Sequence, residues 1–245
     1  MKMIDAEGIH YSQLNTMIKE ALTAGAKDIH LKNVEGQRYI GDGLTGSQRI
    51  VIEGTPGNDM AAYMNGIEII VKGNAQDAAA NTMNEGLIVI HGNAGDTLGY
   101  AIRGGEVFVK GNVGYRVGIH MKEYKEKIPV LIIGGKAGDF LGEYMAGGRI
   151  ILLGLNLSDS EEALGNFCGT GMHGGEIFIR GGMDSSKLGK EVRLSETDED
   201  DLNFLSSYVE RFAEYFGFSY DYIMKKGFVK LTPYDKRPYG NLYAY

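Results

Sequence analysis

Short apolar runs closed by glycine recur through the middle of the chain. Seven five-residue segments alternate their apolar positions with a period of two and are rich in Val and Ile. They are Arg49–Glu53, Glu68–Lys72, Leu87–His91, Glu106–Lys110, Val130–Gly134, Arg149–Leu153 and Glu176–Arg180. The glycines that close them are Gly54, Gly73, Gly92, Gly111, Gly135, Gly154 and Gly181. Their spacings are 19, 19, 19, 24, 19 and 27, which is a 19-residue unit with insertions of 5 and 8. One short strand per unit cannot bury a face alone, but stacked units can. The pattern predicts an all-β solenoid, a single-stranded parallel β-helix of about seven coils, rising about 4.8 Å per coil.

The columns that such stacking creates are consistent along the chain. Two residues before the closing glycines stand Ile52, Val71, Ile90, Val109, Ile133, Leu152 and Ile179. Four before stand Ile50, Ile69, Ile88, Val107, Leu131, Ile150 and Ile177, and both columns should fill the interior. Met64, Met83, Ile102, Met121, Met145 and Met172 form a third column, read as packed core rather than a metal site because no convergent ligands accompany it. The column three before the glycine, with Val51, Ile70, Val89, Phe108, Ile132, Ile151 and Phe178, faces outward yet is apolar. That stripe, roughly 29 Å long at about 4.8 Å per coil, needs a cover, either a flanking helix or a partner. Phe108 and Ile132 on it are candidate interface residues.

After each strand the chain turns on glycine. Gly92, Gly95 and Gly99 recur as Gly111, Gly114 and Gly118 and as Gly135, Gly138 and Gly142. They are read as structural turns, since neither Lys-Ser/Thr nor a useful helix follows, as a phosphate loop or dinucleotide fingerprint would need. Asn74, Asn93 and Asn112 form a column expected to be a hydrogen-bonded ladder. Asp77, Asp96 and Asp139 stack beside it and are expected to cap turn amides. The inserted loop Ile119–Pro129 breaks the period and should protrude, which makes Lys122, Glu123, Tyr124 and Lys125 further interface candidates.

The flanks are out of register. In 1–45, Ser12 is placed as the cap of a helix carrying Leu14, Met17, Ile18, Ala21 and Leu22, with Gly25 as its stop and a strand Asp28–Val34 after it. The β-helix proper is assigned to 46–182, and 183–245 to a helix and tail. An acidic first turn, Thr197–Asp201, precedes Leu202, Leu205, Val209, Phe212 and Phe216 at helical spacing, with Gly217 as the stop. This helix is a candidate to cover the stripe or to cap the open end. The tail from Gly227 is expected to order against another chain.

Composition narrows the classes. The chain has 245 residues with 37 glycines but only 4 prolines, so glycine marks turns rather than a linker. A net charge of −7 argues against nucleic acid and anionic membranes. No apolar stretch is long enough to span a bilayer and the opening residues lack a signal-peptide core, so the expected compartment is the cytoplasm.

No constellation of catalytic residues stands out. The single cysteine, Cys168, cannot form an internal disulfide or an iron–sulfur cluster. It lies near His173, but the match of Gly169, Met172 and Gly175 to Gly142, Met145 and Gly148 favours another corner over a Cys–His nucleophile. The five histidines show no metal-ligand spacing. Arg38 and Tyr39 stand either as site residues or as partners of the acidic surface.

Several motifs carry a family resemblance. They are Gly36-Gln37-Arg38-Tyr39-Ile40-Gly41, Gly54-Thr55-Pro56-Gly57-Asn58-Asp59, Gly73-Asn74-Ala75-Gln76-Asp77, Asn81-Thr82-Met83-Asn84, the run Gly111 to Tyr124, Gly138 to Met145, and Gly169 to Gly175. In order, they resemble the C-terminal glycine-repeat domain of the glutamate synthase large subunit, over about residues 5–182. The resemblance implies a right-handed β-helix that holds a glutamine amidotransferase part and an FMN-containing synthase part in register. It implies no catalytic residue and no cofactor in this chain. FMN and an iron–sulfur cluster are expected in partner subunits, since the chain has one cysteine and opens Met1-Lys2 rather than with a nucleophile. The expected role is a non-catalytic structural subunit of a split glutamate synthase, in glutamate biosynthesis and ammonia assimilation, with homo-oligomerisation also open. Two alternatives remain. One is the related β-helix scaffold of formylmethanofuran dehydrogenase. The other is an independent enzyme such as a left-handed β-helix acyltransferase, whose six-residue repeat does not divide 19.

Overall fold

The computed structural model describes residues 1–155, 157–158 and 161–235. One 11-stranded sheet organises the described residues, in the order β1-β2-β3-β4-β5-β6-β7-β8-β9-β11-β10. Strands β1 (Lys2–Asp5), β2 (Asp28–Glu35), β3 (Arg49–Thr55), β4 (Asn65–Val71), β5 (Glu85–Ile90), β6 (Glu106–Val109), β7 (Val130–Ile133), β8 (Ala146–Leu152) and β9 (Gly174–Arg180) pair in parallel. The seven repeat segments are β3 to β9, and their register follows the columns: Ile50, Ile69, Ile88, Val107, Leu131, Ile150 and Ile177 are successive partners. This is the solenoid expected from the 19-residue repeat. The sheet also runs through the boundaries at 45/46 and 182/183, because β1 and β2 begin it and β10 and β11 end it.

The interior is lined by apolar side chains. All members of the two inner strand columns are at most 1% exposed, and the stripe Met64, Met83, Ile102, Met121, Met145 and Met172 is fully buried. A further inner column, Ile40, Met60, Ala79, Leu98, Val117, Leu141 and Cys168, lines the opposite corner. One end is closed by helix α1 (Tyr11–Thr23), which buries Leu14, Ile18 and Ala21 against the same core. Its N-cap is His10, not Ser12: the Ser12 hydroxyl lies inside the helix and bonds His10 Nδ1 at 2.8 Å.

The other end closes by a device with no repeat signal. β11 (Phe228–Pro233) runs antiparallel onto β9, and β10 (Val192–Glu196) antiparallel onto β11. The first part of the expected tail is therefore a strand of the chain's own sheet. Residues 236–245 lie outside the described residues, as do 156, 159 and 160 in the 8-residue insertion.

Helix α2 (Glu199–Phe216) covers the outward stripe. Asp198 caps it, reciprocating with Asp201, and Gly217 ends it in the left-handed region (φ 73°). Leu205, Val209, Phe212 and Phe216 form a second core with Val89, Phe108, Ile132, Ile151 and Phe178. Phe108 and Ile132 are consequently fully buried. They are covered by the chain's own helix and offer no surface to a partner. Arg211 grips Glu106 with both terminal nitrogens, and the Tyr208 hydroxyl donates to the same carboxylate at 3.0 Å. Burial, then Glu106, pushes the Tyr208 pKa up to about 12. A short helix α3 (Tyr220–Met224) follows, and its carbonyls at Tyr222 and Ile223 accept from the buried Arg180 guanidinium at 2.9 and 2.7 Å.

Candidate partner-binding surface

The coil's geometry begins at its asparagine and aspartate columns. Asn74 Oδ1 accepts from Asn93 N–H, Asn93 from Asn112, and Asn112 from Lys136, each at 2.8 Å. Each side chain thus ties its coil to the next. The carboxamide oxygen occupies the space where a Cβ would stand on Gly92, Gly111 and Gly135, so these turns need glycine for close approach. Asp77 and Asp96 do the same one step on, accepting from Asp96 and Tyr115 N–H at 2.9 and 2.8 Å, and their Oδ1 atoms fill the Cβ sites of Gly95 and Gly114. Asp139 accepts from Asn166 N–H at 2.7 Å. These carboxylates cap amides, as their position in the repeat suggested.

The 5-residue insertion folds as a tight hairpin, with Tyr124 and Lys127 exchanging backbone bonds at 3.1 Å. Lys122, Glu123, Tyr124, Lys125 and Glu126 are exposed on it. Glu123 Oε1 accepts from Gly148 N–H at 2.9 Å, and Lys127 Nζ reaches Glu85 at 2.6 Å, so the hairpin is anchored to two coils. It forms one wall of a groove of about 930 Å³ whose other wall is the end of the β10–β11 pair, with Arg193 and Tyr234. Arg149, His173 and Glu176 lie between. The groove was not legible in the sequence, because its second wall comes from strands outside the repeat.

The remaining candidates resolve as structure. Cys168 is fully buried in the inner column, and desolvation pushes its thiol up to about 12, far from the accessible thiolate a nucleophile needs. His173 turns Nδ1 to Gly171 O at 3.1 Å. The Arg38 guanidinium stacks on Tyr11 and Tyr39, 5.0 and 5.7 Å from the ring centroids. His91 Nε2 sits 3.0 Å from Lys72 Nζ and its ring meets Phe216 edge-on. Among the described residues no group of three or more His, Cys, Asp or Glu is disposed to hold a metal ion, and no helix is long and apolar enough to cross a membrane.

A family model described as the GXGXG motif matches residues 13–234. The chain is also 47% identical over 250 residues to the uncharacterized protein MJ1350 of Methanocaldococcus jannaschii, covering 99% of this chain and 96% of that relative.

Proposed function

From the premise that the chain belongs to the GXGXG-motif family, the domain type found at the C-terminus of glutamate synthase large subunits, we propose that it is a non-catalytic structural subunit of a split glutamate synthase. In this reading it holds a glutamine amidotransferase subunit and an FMN-dependent synthase subunit at a fixed separation, so that ammonia released at one is used at the other. One observation carries the reading. The coil interior is packed with apolar side chains, its polar columns are spent on capping the next coil, and its one thiol is buried. What the fold offers outward is a rigid surface about seven coils long.

That geometry suits a spacer. Stacked coils with side-chain-to-backbone ties at 2.8–2.9 Å resist shear, and a lidded sheet resists bending. FMN and an iron–sulfur cluster belong, in this reading, to the partner chains.

The test is affinity isolation of this chain from its native cells, with mass spectrometry and a flavin absorbance scan. Co-purification of a glutamine amidotransferase and an FMN protein is expected. Recovery of a metal–pterin dehydrogenase instead moves the chain to a different scaffold role, and glutamate synthesis by the isolated chain contradicts the proposal.

A further inference from the structure

The sheet has an open edge at the end that its last two strands close. β10 is the final strand and pairs on one side alone, with β11. Tyr234 N–H donates to Glu191 O at 2.8 Å, and Pro233, which faces Val192, has no N–H to give. The hydrogen-bonded pairs of this ladder are therefore Glu191–Tyr234, Arg193–Thr232 and Ser195–Lys230. By the same alternation Val192, Leu194 and Glu196 turn their backbone groups away from β11, to the free edge. Gly189 O holds the Val192 N–H at 3.4 Å. The other groups of these three residues face outward with no strand beyond them.

Edges of this kind are commonly blunted by a proline, a bulge or a charge. β10 has no proline, and its register with β11 runs without a shift. Its charges, Arg193 and Glu196, leave Leu194 at the centre. Leu194 lies opposite Leu231, which is fully buried in the solenoid's core, so it projects on the core face. It is nevertheless 47% exposed. The apolar face thus runs out at a leucine left half open.

A second copy of the same edge complements it. Two β10 strands related by a twofold axis pair antiparallel, and their outward groups meet in registers centred on any residue from Val192 to Glu196. Centring on Arg193 or Glu196 sets like charges opposite each other, and centring on Ser195 sets each Leu194 against a glutamate. Centring on Val192 needs the N–H that Gly189 holds. Centring on Leu194 sets Leu194 against Leu194, Arg193 against Ser195, and Val192, already covered by its own chain, against Glu196. Leu194 N–H then donates to Leu194 C=O of the second copy, and Glu196 N–H to Val192 C=O, each twice by symmetry. Lys190 and Glu196 are exposed and have no ion pair among the described residues. In this register they become diagonal neighbours of opposite charge across the axis. The Arg193 Nε donates to Thr232 Oγ1 at 3.2 Å, so the guanidinium leans away from the axis.

We propose that the β10 edge is a homodimer interface, in which two copies of this chain join β10 to β10 about a twofold axis at Leu194 and continue one sheet from solenoid to solenoid. The proposal rests on the fold and not on the scaffold reading.

The test uses the full chain alone. Size exclusion with light scattering at micromolar concentration is expected to give twice the chain mass. Leu194→Lys is expected to keep the melting temperature, since the side chain is half exposed, and to lose the dimer. Leu194→Cys reads the register: its paired Cα atoms stand about 5.5 Å apart, within disulfide reach, so mild oxidation is expected to link the two copies. Cys168 is fully buried and does not compete. Glu196→Cys lies on the same edge but about 13 Å from its copy along the strands, and is expected not to link. An unmodified chain that stays monomeric overturns the proposal. So does a dimer that survives Leu194→Lys, or equal linking of the two cysteine variants, which decide the matter even if the lysine variant fails to fold. A monomer that dimerises only once residues 236–245 are removed gives the edge to that segment and overturns the proposal as well. None of these outcomes touches the scaffold reading, which the co-purification experiment decides.

Discussion

The tie between Asn93 and Gly111 gives the repeat a quantitative test. Asn93 Oδ1 accepts from Asn112 N–H at 2.8 Å, and the same oxygen fills the place of a Cβ on Gly111. Asn93→Ala removes one hydrogen bond at an exposed corner, where water can replace the acceptor, so its cost is about 1 kcal/mol. Gly111 is not in the left-handed region, so alanine is permitted conformationally there. The added methyl would overlap Asn93 Oδ1, and would also meet Gly92 O at 2.9 Å and Asn93 Cγ at 3.1 Å. Overpacking of this kind costs about 2 kcal/mol. In the double variant two of those three obstacles are gone and only Gly92 O remains. The double cost should therefore be about 2 kcal/mol rather than the sum of about 3, a coupling of about 1 kcal/mol. Urea unfolding followed by far-ultraviolet circular dichroism, compared at constant m-value, measures it. Costs that add to within about 0.3 kcal/mol would refute the claim that one atom both ties the coils and requires the glycine.

Three further outcomes follow from the same structure. Phe212→Ala should destabilise by about 3–5 kcal/mol, because the ring is fully buried and lies against the Gly134 backbone, while Leu202→Ala on the same helix, 43% exposed, should cost under about 0.5 kcal/mol. Burial, then Lys72 and Lys110, hold the His91 pKa below its ordinary 6.5, so the folded chain takes up that proton at lower pH than the unfolded chain. Stability should therefore decline as pH falls from about 7.5 through the ordinary histidine range, and His91→Gln should lessen the decline in a pH series of thermal melts. Replacing Lys122–Ile128 by a short turn should leave the circular dichroism spectrum unchanged and weaken assembly with a catalytic subunit, whereas unchanged assembly would remove the hairpin from the interface.

The sequence was most legible where translation along the solenoid repeats one environment. Residues 19 apart share the same neighbours, so Ile52, Val71 and Ile90 had to be alike, and the methionine stripe is legible as interior from its spacing alone. α2 was legible because Leu205, Val209, Phe212 and Phe216 are both periodic and too apolar for solvent, and the bare stripe demanded a cover. β11 was not, since only Phe228 and Leu231 of its six residues are buried and its partner, β9, is fixed by tertiary pairing. Ser12 misled because a serine near a helix start resembles a cap, while the chain had already entered the helix at Tyr11. One corner column was hidden for another reason. It reads Asp59, Ala78, Thr97, Arg116, Phe140 and Phe167, which shares no chemistry, and only the common positive φ reveals it as one column.

The most direct measurement is glutamine-dependent glutamate formation from 2-oxoglutarate, using purified amidotransferase and FMN subunits with and without this chain, with a chemically reduced viologen dye supplying the two electrons each glutamate needs. The scaffold account predicts coupled synthesis, one glutamine consumed per 2-oxoglutarate converted, only when all three are combined. Full coupling by the two catalytic subunits alone, or no change on adding this chain, would contradict it.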